Sequence, residues 1–319
     1  TCKSWSDIWI NEGFASYSEH LIAQYLDPSN FHPNLASAHS NVMSQTGGSI
    51  HFSGNDTMNA ARIFSGRLTY DKGGAIVHTL RFVTNNDSLW FNTLKGFQNQ
   101  FKNSTASAMD FMNYFQTQTS INPTQFFNQW YYGEGYPTFD VKWNFVGNTF
   151  VLKSDQSTSK PSSVPLFITP MEYQLFRTGA ADTTIRVQHN VNNEYYNIPM
   201  LGTVTNVFVD PNNWVINKTI GPAFDNSLLP NGIIEENGSS DVKISPNPSN
   251  DYFYIALNKA DDYLLKVYDS SGRLIKEDAF QDQTFSLDLS PVSEGIYLLE
   301  LYNKSGKLVY NSKLVKQKN

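Results

Sequence analysis

Two short stretches place side chains where they could do chemistry. The first is Trp5-Ser-Asp-Ile-Trp-Ile-Asn-Glu12-Gly13-Phe-Ala15, where a carboxylate and a glycine interrupt a run spaced like a buried helix. A glycine inside a helix costs about 1 kcal/mol against alanine, and a carboxylate is seldom buried without a partner. Gly13 would let another helix or a substrate approach the backbone closely. Spacing alone leaves Glu12 open, since a surface carboxylate beside a tolerated glycine fits the same pattern. The second stretch is Arg67-Leu-Thr-Tyr70-Asp-Lys-Gly-Gly74, just before a helix that holds His78. A tyrosine at a Gly-rich helix entry can donate its phenol hydrogen bond to a developing oxyanion. Tyr70 is also one of 17 tyrosines, and taken alone the stretch favours simple packing.

Other chemistries find no support. The six histidines are His20, His32, His39, His51, His78 and His189, and no pair forms HExxH. His32 and His39 fall in a polar stretch and read as solvated, and His20 reads as a surface neighbour of Glu19. No self-contained zinc site is visible. There is no G-x-S-x-G, no phosphate loop, and Cys2, the only cysteine, has no His motif near it and excludes an intrachain disulfide.

The elements that must position these residues follow from periodicity. Of 319 residues, 14% are aromatic and only 16% charged, which suits large cores and excludes a disordered chain. A net charge of −6 without a basic stripe argues against a nucleic-acid partner, and no apolar run reaches the length of a transmembrane segment. Residues 4–132 read as helical: Ser4 to Asp7 resembles a capping box, apolar residues recur to Leu26, and Asp27-Pro28 stops the run. Residues 31–58, rich in Ser, Asn, Gly and His, read as an irregular loop. Helical runs follow at 60–67, 71–84, 89–100, 107–119 and 123–131. After Gly133-Glu-Gly-Tyr-Pro137 the pattern turns to short β-branched and aromatic strands at 138–145, 149–153, 164–169, 173–177, 184–187, 194–199 and 204–209. A polar linker precedes a last block of strands from 241, with hairpin turns at Ser271-Gly272 and Ser305-Gly306. The expected fold class is α+β multidomain, a helical lobe followed by two antiparallel β-sandwich domains. The expected boundaries are 1–133 helical, 134–225 β-sandwich, 226–240 linker and 241–319 terminal β-sandwich.

The stretch from Trp5 to Glu19 resembles the helix that follows the zinc motif in the aminopeptidase N family of zinc metallopeptidases, the gluzincins. Thr69-Tyr-Asp-Lys-Gly-Gly74 is similar to that family's Tyr-x-Lys-Gly run, and Phe126 to Pro137 is similar to the segment that closes its helical lobe. The resemblance implies that Glu12 is the third protein ligand of one zinc ion and that Tyr70 supports the oxyanion. Glu19, two turns after Glu12, could orient a zinc-bound His, although a surface carboxylate fits as well. The two His ligands and the general base of HExxH would lie upstream of Thr1, as would a signal peptide. The implied function is a zinc-dependent aminopeptidase acting on peptide substrates, with this chain inactive by itself. The alternative is a non-catalytic surface binding protein with a degenerate peptidase lobe.

Ile244-Ser-Pro-Asn-Pro-Ser-Asn250, Val267 to Leu274, Gly295-Ile-Tyr-Leu and Leu314-Val-Lys316 look like the C-terminal sorting domain of the type IX secretion system of Bacteroidetes. That resemblance implies a secreted or cell-surface protein whose residues 241–319 engage the secretion machinery.

Overall fold

The computed structural model describes residues 1–230, 242–269, 272–306 and 308–317. The chain forms two compact units, Thr1–Phe224 and Asp225–Asn319. The linker expected over 226–240 lies from residue 231 onward outside the described residues, as does Ser271 of the first predicted turn.

The first unit opens with a 3-10 turn at Trp5–Asp7 and helix α1 (Trp9–Leu26). The capping box expected at Ser4 does not form. Ser4 Oγ donates to Asp7 Oδ2 at 2.7 Å, while the other Asp7 oxygen accepts the N–H of Ala108 at 2.8 Å, so Asp7 fastens the chain start to a distant helix end. The stretch 31–58 departs more from the sequence reading, because Pro28–Val42 is helix α2. Pro28 occupies its first turn, where no N–H is needed. Phe31, Leu35, Ala38, His39 and Val42 form one buried stripe at helical spacing. The Ser, Asn and His residues that suggested a loop mostly line the opposite, wet face.

Helix α3 (Ala60–Ile63) leads into a π-helical turn, Gly66–Lys72, which runs directly into α4 (Gly73–Thr84). Then come α5 (Asp87–Phe101), α6 (Ala108–Thr119) and α7 (Thr124–Trp130). A capping box does form on α6, where Ser107 Oγ accepts the Asp110 N–H and the Asp110 carboxylate accepts the Ser107 N–H.

The β part packs as two sheets, ordered β5-β2-β1-β7 and β4-β3-β6. Its strands are β1 (Pro137–Val146), β2 (Thr149–Thr158), β3 (Thr169–Thr178), β4 (Thr183–His189), β5 (Glu194–Pro199), β6 (Thr203–Val209) and β7 (Lys218–Phe224). The strand expected at 164–169 is absent. There the Gln156 side-chain amide bonds both the N–H and the C=O of Phe167, at 2.6 and 3.0 Å, and does the work of a neighbouring strand. Strand β7 was not legible because Gly221-Pro222 breaks it, and its place at a sheet edge tolerates the proline. It also pairs parallel to β1, the exception to an otherwise antiparallel set. Helices and sheets share one continuous core that includes Trp9, Phe111, Phe127, Trp130, Phe139 and Phe167.

The second unit is a sandwich of sheets β12-β9-β8 and β11-β10-β13-β14. Its strands are β8 (Val242–Ser245), β9 (Tyr252–Leu257), β10 (Tyr263–Tyr268), β11 (Leu274–Phe280), β12 (Thr284–Asp288), β13 (Gly295–Asn303) and β14 (Leu308–Lys316). All pair antiparallel. Alternate residues such as Phe253, Ile255, Leu265, Val267, Leu299 and Leu301 fill a core of its own. The Lys316 ammonium is buried, accepted by the carbonyls of Leu289 and Val292 at 2.8 Å each and paired with Asp251 at 2.9 Å.

Candidate active site

The site begins at a contact between two glycines. Helices α1 and α4 cross so closely that a Cβ on Gly13 would lie 2.9 Å from the carbonyl carbon of Gly73 and 3.0 Å from its Cα. A Cβ on Gly74 would lie 3.0 Å from Ser16 Cβ and 3.2 Å from the Tyr17 nitrogen. No side chain fits between these backbones, which is the approach that Gly13 suggested in the sequence. The crossing brings Glu12, the residue before Gly13, beside Tyr70, in the turn just before Gly73.

Tyr70 sits in the π-helical turn, a wound-out geometry that recurs at functional sites. Ser65 starts this turn by accepting the Leu68 N–H on its side-chain oxygen, and the Ser65 carbonyl accepts the N–H of Thr69 at 2.8 Å. Both Glu12 and Tyr70 are half-buried. Burial first, and then the Glu12 carboxylate acting through its charge and as hydrogen-bond acceptor, hold the Tyr70 phenol above its ordinary value. The phenol therefore keeps its proton and stays a donor at neutral pH. Beside it, the Asp71 carboxylate accepts from Asn41 Nδ2 at 2.6 Å, and burial raises its pKa despite that bond.

The other sequence candidates fall elsewhere. Glu19 is exposed on α1. His20 and His39, read as surface or solvated side chains, are both buried, because α2 is a helix that lays His39 against α1 and α4. With His78 they form a group of imidazoles close enough to act on one another electrostatically. Burial, then the His20 charge, lowers His39 to about 3, and burial holds His20 and His78 below the ordinary imidazole value. His78 stacks on Trp214 at 4.4 Å, which in turn stacks on Phe82 at 5.1 Å. These are core imidazoles. Among the described residues no three His, Cys, Asp or Glu side chains converge on a point that could hold a metal. Asn41, which bonds Asp71, and the buried Lys72 fasten the turn that carries Tyr70, and neither was singled out from the sequence. Asn41 lay in the misread loop, and Lys72 was visible only as one residue of a motif.

Parts of the chain are similar to known proteins. Residues 1–130 match the peptidase family M1 domain, and residues 243–317 match a secretion system C-terminal sorting domain. The chain is similar to aminopeptidase N of Lactobacillus delbrueckii subsp. lactis, at 26% identity over 148 residues, covering 44% of this chain and 17% of that protein. It is likewise similar to aminopeptidase N of Mus musculus, at 25% identity over 199 residues, covering 54% and 20%. A solved structure, aminopeptidase A of Legionella pneumophila, superposes with a TM-score of 0.52 at 12% identity, over 69% of this chain and 25% of that one, a likeness of fold. The chain thus spans about a fifth of the length of the curated relatives it matches. It carries an aminopeptidase N-like peptidase M1 segment and a type IX C-terminal sorting domain.

Proposed function

We propose that this chain is the part of a secreted zinc aminopeptidase that supplies one metal donor, Glu12, and the oxyanion donor, Tyr70. One observation carries the reading. The two side chains, separated in sequence by the whole of α2, share one electrostatic environment because Gly13 and Gly73 let their helices touch. The donor set fits zinc in part. Glu12 is an oxygen donor, half-buried and facing a neutral phenol, and a four-coordinate site needs further donors from outside the described residues. An HExxH segment preceding residue 1 would provide them, with Glu19 as the proposed acceptor that orients one His. Zinc, when bound, supplies a Lewis acid for the scissile carbonyl and an activated water.

The remaining chemistry belongs to this chain. The π turn aims the Tyr70 hydroxyl beside Glu12, and its raised pKa keeps the proton that a developing oxyanion would accept as a hydrogen bond. The sorting domain takes the protein to the type IX machinery, and so to the cell surface or beyond. The test is kinetic, on the protein extended upstream through HExxH. Tyr70→Phe should keep zinc and lose on the order of 100-fold in kcat, and Glu12→Gln should lose zinc itself. Full turnover by either variant overturns the assignment. Absence of HExxH from the upstream sequence would instead favour the surface binding role.

A further inference from the structure

Two residues beyond Tyr70, Lys72 is 1% exposed, and its Nζ donates to the carbonyl oxygens of Gly48 and Gly133 at 3.0 Å each. Gly48 is gripped at its other end too, where its N–H donates to Glu134 Oε2 at 2.8 Å. It sits at φ +104°, and a Cβ there would meet Arg67 Nη2 at 2.7 Å and Leu68 Cδ2 at 2.9 Å, so the position admits glycine alone. Arg62 donates to the Ser49 carbonyl at 2.8 Å and Arg67 to the Val42 carbonyl at 3.1 Å, which completes the fastening of the loop after α2.

Taking an ammonium out of water is costly, and an apolar side chain would fill the same space at less expense. What lysine adds is a tether with two fixed ends. We propose that Lys72 is a positioning residue for Tyr70. It ties the π turn to the loop at Gly48 and to the end of the helical part at Gly133, and Glu134 holds Gly48 in register for it. A turn pinned at two points can neither rotate nor sink, so the phenol keeps its depth beside Glu12. Tyr70 stands two residues from the anchor, within the same turn.

This inference rests on the peptidase reading, and a double-mutant cycle in the upstream-extended protein tests it. Lys72→Met should lower kcat at least about tenfold, with KM within about threefold and zinc content unchanged; in the Tyr70→Phe background it should remove no more than about threefold further. A purely structural lysine would give losses that multiply, and that result, or a wild-type kcat for Lys72→Met, overturns the proposal. Should Lys72→Met not fold, Glu134→Ala releases the Gly48 N–H and withdraws a carboxylate that acts on Lys72, and should show the same non-additivity at smaller amplitude. If the unsubstituted protein hydrolyses no peptide, the peptidase reading fails separately. The tether is then judged by hydrogen exchange, where Lys72→Met should speed exchange over 66–72 and at Gly48 but not in α5. Unchanged exchange over 66–72 would sink it.

Discussion

Replacing Gly13 with alanine should separate helix propensity from helix packing. Alanine is the better helix former by about 1 kcal/mol, so an isolated α1 would gain from the change. In the folded unit the new Cβ meets three backbone atoms of Gly73, at 2.9, 3.0 and 3.3 Å. None can swing aside as a flexible side chain would. Relief requires α1 and α4 to part by roughly half an ångström, which forfeits about a quarter of the dispersion attraction across the crossing. Overpacking of this kind costs about 1–3 kcal/mol and can exceed it when only backbone is available to move. Because only backbone can move, the upper part of that range applies, and subtracting the propensity gain leaves Gly13→Ala destabilised by about 1–2 kcal/mol. Urea denaturation followed by tryptophan fluorescence measures this, since Trp9 and Trp90 report on the helical core. Gly66→Ala is the control, because a Cβ there meets nothing within 4 Å, and it should change stability little. A Gly13→Ala protein as stable as the parent would refute the argument that backbone contact sets the site.

Acid should destabilise the first unit early. The buried His20, His39, His78 and His189 have folded pKa values below the ordinary one, so below about pH 6.5 the unfolded chain binds protons that the folded chain refuses, and stability is lost as pH falls. Asp210, raised by burial to about 7, and Asp71, also raised, take up protons on folding in the same window and offset part of this. His39 and His189, at about 3 and 4, against Asp210 at about 7 leave a balance of about one proton, which alone predicts a loss of roughly 1 kcal/mol per pH unit between pH 6 and 5. Denaturation midpoints across that range check it, and a flat profile would contradict it. Residues 1–319 alone should bind no stoichiometric zinc and hydrolyse no peptide, since one carboxylate does not hold catalytic zinc tightly; metal analysis with a chromogenic aminoacyl substrate decides.

The legible part of this protein was the part written in local pattern. Strand alternation located most of the β elements, and the runs around Glu12 and Tyr70 singled out two residues that the fold brings side by side. The π turn was not legible, since Gly66 to Lys72 reads as an ordinary helix entry until Ser65 is seen to hold it open. Helix α2 was hidden by composition. Its buried stripe from Phe31 to Val42 is regular, but Pro28 and Pro33 and the Ser and Asn residues between argued for a loop. Misreading α2 also put His39 in solvent when it belongs to the core. Contacts such as Gln156 with Phe167, or Lys72 with Gly48, join residues far apart in the chain, and no periodicity announces them.

The most direct measurement is anomalous diffraction at the zinc edge on crystals of the upstream-extended protein. We predict a single peak about 2.0–2.2 Å from a Glu12 carboxylate oxygen, with the Tyr70 hydroxyl turned toward the open side of the metal. A zinc peak remote from Glu12, or a Glu12 side chain facing bulk solvent while zinc is bound elsewhere, would contradict the account.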